Sequence, residues 1–275
     1  GASFEGRHEA AFALWSLSSK NKEIAASIAE TGAIKSLVKL LHEEDSAAQQ
    51  KAAGALSSLA DGSRENQDAI SQAGGTMPLV KLLDPEHEAV HVRAAHALAE
   101  LVRSYPANQT AVAKAGGIKL LVALVKGDGA EEAKAAAATA LWSLCDKHGE
   151  NQQLVAKFDG LSPLCSLIGM GDSSTQYEAA GALAAIALEN AANQHKIATM
   201  LSDLLQSEDL QICTKASLAV SRLARSHPSN QVAIAKVGGI KPLVGMVSID
   251  ASPAASAAAS KQAAQGSEEA VTEKV

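Results

Sequence analysis

Apolar residues recur along this chain at helical spacing, and the recurrence itself repeats. In AAGALSSLA (52–60), Ala53, Leu56, Leu59 and Ala60 fall on one face of a helix. Related runs are ALWSL (13–17), AHALAELV (95–102), a second ALWSL (140–144), AGALAAIA (180–187) and SLAVSRLA (217–224). Anchored on Leu14, Leu56, Leu98, Leu141, Leu183 and Val220, the steps are 42, 42, 43, 42 and 37 residues. A second pattern runs out of phase with the first. It begins at Asn21, Asn66, Asn108, Asn151, Asn193 and Asn230, and continues through a short apolar stretch and a glycine into a run such as IKSLVKLL. The copy at Asn193, NQHKIATMLSDLL, lacks the glycine step, which accounts for the short period.

Each period therefore predicts three helices. The first is short and runs from Asn, a good N-cap, to Gly, a good terminator. The second holds the LVKLL-like run, and the third is long. Pro78, Pro163 and Pro242 are expected to open second helices and Pro253 a third, whereas Pro85, Pro106 and Pro228 are assigned to connections. The expected organisation is a partial first repeat over 1–20, supplying only a last helix. Repeats then begin near 21, 66, 108, 151, 193 and 230 and extend to 249, followed by an alanine-rich cap or tail over 250–275.

The pattern AAGALxxLA followed by NxxxIxxxGGIxxLVxLL resembles the armadillo repeat over about residues 8–249. HEAT repeats lack the short Asn-to-Gly helix. The resemblance implies an all-α, right-handed superhelical solenoid of about six three-helix repeats plus the partial one. It also implies that the third helices line a concave groove that binds extended segments of partner proteins. Against the importin-α branch, the tryptophan-ladder positions hold Phe12, Gly54, His96, Thr139, Gly181 and Leu218. The asparagine-ladder positions hold Ser16, Ser58, Glu100, Ser143, Ala185 and Arg222. No ladder residue is in place, and the long basic groove of the β-catenin branch is absent too. The resemblance is to general plant, protist and fungal members.

Composition narrows the picture further. Aromatic residues make up 3% of the 275, so alanine and aliphatic side chains must build the core. The net charge of −6 gives no bulk attraction for nucleic acid. Cys145, Cys165 and Cys213 lie in apolar runs without CxxC spacing and read as reduced thiols. No stretch reaches the roughly 18 apolar residues of a membrane span. No secretory leader pattern opens the sequence. An intracellular protein, cytoplasmic rather than nuclear, is the expectation.

Signals for chemistry are weak. His87 and His91 have i, i+4 spacing but lack a third and fourth ligand. The Gly-Gly pairs follow no strand and precede no GK[ST], so they read as helix breaks rather than phosphate loops. No enzyme activity, metal or cofactor is expected; the partners are proteins or peptides.

The candidate groove residues are Phe12, Trp15, Ser16, Gly54, Ser58, Arg93, His96, Glu100, Arg103, Thr139, Trp142, Ser143, Gly181, Lys215, Arg222 and Arg225. Gly54 and Gly181 are expected to open the groove floor to a bulky side chain or a helix. Lys215, Arg222 and Arg225 form a basic last row suited to an acidic or C-terminal segment. Trp15 and Trp142 read either as packing between repeats or as anchors on the groove edge. Three roles stay open: a scaffold or adaptor gripping an extended segment, a structural subunit of a large cytoskeletal or membrane-associated assembly, and the substrate-recognition part of a larger enzyme such as a ubiquitin ligase.

Overall fold

The computed structural model describes residues 4–84, 87, 90–225 and 227–248, and is helical with no strand among them. The tail expected over 250–275, with Pro253, and also Pro85, lie outside the described residues. The chain divides into two compact units, residues 1–239 and 240–275.

In the first unit, the long helices α1 (Phe4–Ser18), α4 (Ser46–Ala60), α7 (His91–Val102), α10 (Glu131–Cys145), α13 (Ser173–Ala187) and α15 (Leu210–Ala224) pack side by side in that order. Short helices precede them in pairs: α2 (Lys22–Glu30) with α3 (Ala33–Leu40), α5 (Arg64–Gln72) with α6 (Thr76–Lys81), α8 (Pro106–Lys114) with α9 (Gly117–Lys126), and α11 (Gly149–Lys157) with α12 (Leu161–Met170). Where the sequence lacks the glycine step, the pair fuses into one helix, α14 (Ala191–Leu204). Helix α16 (Pro228–Lys236) closes this unit, and α17 (Ile240–Val247) belongs to the second, with Pro242 in its first turn.

Small side chains make the close stacking possible. In α4, Ala48, Ala52, Ala53, Ala55, Leu56, Leu59 and Ala60 are all buried, and α7 and α10 repeat the arrangement. Such helices are apolar almost all round, because neighbours cover them on both sides and beneath. Only a narrow strip of each stays open.

Two expectations about the first helices are corrected. Asn21 does cap α2, accepting a hydrogen bond from the Ile24 amide at 3.1 Å. The other five asparagines of the repeat row do not cap. Caps in that row are Ser63, His148 and Asn190, 42, 127 and 169 residues after Asn21. Asn66, Asn108, Asn151, Asn193 and Asn230 lie inside the first turn and are buried. Each donates its side-chain amide to a carbonyl seven residues earlier, at the end of the preceding long helix: Leu59, Leu101, Leu144, Ile186 and Leu223, at 2.8–3.2 Å. The following glutamines of the first three reach forward instead. Gln67 donates to the Glu100 carbonyl, Gln109 to Ser143 and Gln152 to Ala185. The Asn-Gln pair thus ties α5, α8 and α11 each to two consecutive long helices. Deleting such a donor leaves a buried carbonyl unpaired, at a cost of about 1–3 kcal/mol.

Pro106 and Pro228 are the first helical residues of α8 and α16, not parts of connections. Position N1 suits proline because its missing N–H would be unpaired there anyway.

Candidate partner-binding face

The strip left open on the row of long helices carries Lys51 and Ser58 on α4, and Arg93, His96 and Glu100 on α7. It continues with Thr139 and Trp142 on α10, Glu178 on α13, and Lys215 and Arg222 on α15, all half-buried. Phe12 on α1 is 47% exposed. Most of the candidates drawn from the sequence therefore share one face.

The glycines on this face are not open floor. Gly54 and Gly181 are buried, and a Cβ added to them would stand 2.7 Å from Trp15 and 2.4 Å from Trp142. Each glycine is a notch that seats the indole of the preceding long helix. Both rings stay half-exposed, so each is at once packed and presented. At the N-terminal notch, Phe12 meets Trp15 edge-on (centroids 6.0 Å apart), the Arg93 guanidinium lies 4.9 Å from the indole, and Lys51 sits over Phe12. At the C-terminal notch, Tyr177 of α13 meets Trp142 at 6.2 Å. Arg222 lies 3.4 Å from the Tyr177 ring and 5.4 Å from Trp142, and donates from Nη1 to the Tyr177 carbonyl at 2.6 Å. Cation–π contacts of this kind hold an arginine in place while leaving part of its edge free.

Other candidates are already engaged. Ser143 is buried, and its carbonyl accepts from Gln109, so it is not part of the open face. The Ser16 and Thr139 hydroxyls donate back to Phe12 and Ala135 of their own helices. Lys215 donates to the Gly169 carbonyl of α12 at 3.2 Å, which takes its charge away from the expected basic row. Glu100 grips Arg103 through two hydrogen bonds, at 2.9 and 2.5 Å. Burial lowers the pKa of His96, assisted by Arg93 and opposed by Glu132, Glu100 and Glu178. Arg225 is exposed.

Around the C-terminal notch an open pocket of about 360 Å³ is lined by Trp142, Lys147, Gly181, Leu188, Arg222 and Arg225, together with Asp146, Ala184, Ala185 and His227. Leu188 falls in the groove row that runs from Glu178 through Gly181 and Ala185, whereas Tyr177 and Lys147 lie outside the rows that the repeat pattern marks. Tyr177 carries the only usable signal, as an aromatic residue one turn before the notch glycine.

No group of three or more metal-ligating side chains gathers among the described residues. His91 is buried at the start of α7 and donates from Nε2 to the Asp84 carbonyl at 2.6 Å, while His87 precedes the helix. The two therefore do not share a helix face as their spacing suggested. Burial raises the Cys145 thiol well above its ordinary pKa and pushes Cys165 up to about 12, so neither supplies thiolate.

Comparison with known proteins agrees with this architecture. The Armadillo/beta-catenin-like repeat model matches residues 150–187, and the SIL1/FES1/HPBP1 C-terminal domain model matches residues 25–159. A designed armadillo repeat protein superposes with a TM-score of 0.70 at 26% identity, over 81% of this chain and 95% of its own. The chain belongs to the armadillo-repeat family. An engineered protein is 33% identical over 81% of this chain and 92% of its own, with a TM-score of 0.70. A designed armadillo repeat protein in complex with the peptide (KR)4 gives 27% identity and a TM-score of 0.68, over 78% of this chain and 92% of its own. No curated protein matches the chain. In armadillo terms, α4, α7, α10, α13 and α15 are third helices. No helix among the described residues is long and apolar enough to cross a membrane.

Proposed function

We propose that this armadillo protein is a non-catalytic interaction scaffold, and that it grips an extended segment of a partner protein along the strip of its third helices. One observation carries the reading: two tryptophans, the only ones in the chain, are packed into glycine notches and stay half-exposed on that strip. Rigid aromatic rings offer contact area at low entropic cost and are enriched among binding hot spots. The designed armadillo relative that carries (KR)4 supports the same use of the fold for peptides.

Selection of a random peptide library against the full chain tests the proposal. Selected peptides are expected to change the tryptophan emission and to lose affinity for a Thr139→Arg variant. They should bind normally to Val232→Arg, which alters an exposed residue of α16 on a first helix. Peptides sensitive to Val232→Arg and indifferent to Thr139→Arg would overturn it.

A further inference from the structure

The C-terminal notch differs from the N-terminal one in its charge. Lys147, Arg222 and Arg225 line its pocket and face one carboxylate, Asp146. The Lys147 and Arg225 side chains are exposed and make no hydrogen bond or ion pair among the described residues. Arg222 is pinned across Tyr177 and Trp142, with one amino group committed to the Tyr177 carbonyl. Other acids of the face act elsewhere: Glu100 is bound to Arg103, and Glu178 bears on His96 and Arg103. At the N-terminal notch Lys51 is spent on Glu9 at 2.5 Å, Arg103 is held by Glu100, and Arg93 lies over the Trp15 indole. Next to the cations, Leu188, Ala184 and the Trp142 ring form an apolar wall.

We infer that the partner segment places a carboxylate side chain, beside an apolar one, in the pocket between α10, α13 and α15. This rests on the proposed grip along the third helices and adds the chemistry of what is gripped. The carboxylate is held by Arg225, Lys147 and the free edge of Arg222, as charge-assisted bonds favour. Its apolar neighbour lies on Leu188 and Trp142. The Asp146 carboxylate within the lining disfavours a dianionic phosphate and leaves the pocket suited to a single negative charge. This preference is opposite in sign to the basic peptide carried by the designed relative. Neighbouring helices stand about 10 Å apart, so an extended segment of roughly six residues spans α10 to α15.

The test is a positional-scanning library of uncharged-background hexapeptides, each position fixed in turn as Glu, Lys, phosphoserine or Leu, titrated against the full chain. The expected result is a preference for Glu at one position with Leu beside it. Arg225→Glu is expected to weaken the Glu peptide roughly tenfold and to turn the preference at that position toward Lys. Val232→Arg, on α16 and off the strip, is expected to leave that preference in place. Peptides that bind with no preference for Glu, or whose Glu preference survives both Arg225→Glu and Lys147→Glu, overturn the inference while leaving the grip on the third helices standing. A preference for phosphoserine over Glu also overturns it. Binding of no library member overturns both.

Discussion

Asp159 occupies a backbone conformation that glycine fills elsewhere in the chain. Its φ is +57°, in the break between α11 and α12, where Gly32, Gly74, Gly116 and Gly238 take φ of +81° to +87°. An L side chain in the left-handed region costs about 1–2 kcal/mol. Asp159→Gly is therefore expected to raise the urea midpoint by the equivalent of about 0.5–1 kcal/mol, after allowing for the looser unfolded chain. An unchanged or lowered midpoint would count against strain at this position. The same turn logic was legible in the letters FDG, read against AGG and VGG. The asparagine row was misread at this scale. Asn caps helices often enough that a capping role was the natural assignment, and only tertiary contacts reveal that Asn66 and its successors bond backwards into the preceding helix. Asn21, the one true cap, stands three residues out of register with them, and a period counted from it hides the difference.

Helices were legible because their apolar spacing, glycine breaks and proline placement agree with one another. The three-helix expectation fails at α14, where the missing glycine lets the two short helices run on as one. The relations between helices were not legible. Gly54 and Gly181 looked like open floor, since nothing local shows that an indole 39 residues earlier fills each notch. Arg93 lies five residues before its anchor leucine and Arg222 two after its anchor valine, so the cations over the two indoles share no sequence register. The notch account gives a prediction at this scale. Gly181→Ala drives a methyl into Trp142 and is expected to cost about 1–3 kcal/mol, with a shift in tryptophan emission. Gly149→Ala, where nothing lies within 4 Å of the added carbon, is expected to stay within about 0.5 kcal/mol. Equal effects of the two substitutions would mean that the indole is not seated as described.

At the scale of the whole molecule, an armadillo array has no single centre, and each repeat is stabilised by its neighbours. Function then has to come from what the aligned third helices display in common. Here they display a mixed strip with two aromatic notches, acids gathered near its middle and unpaired cations at its C-terminal end. A peptide bearing a photo-reactive benzoylphenylalanine, built on a selected sequence and cross-linked to the full chain, reports directly where a partner lies. The account predicts adducts on the strip, at residues such as Ser58, Thr139, Trp142 and Arg222. Adducts confined to the first helices α8, α11, α14 and α16 would contradict it.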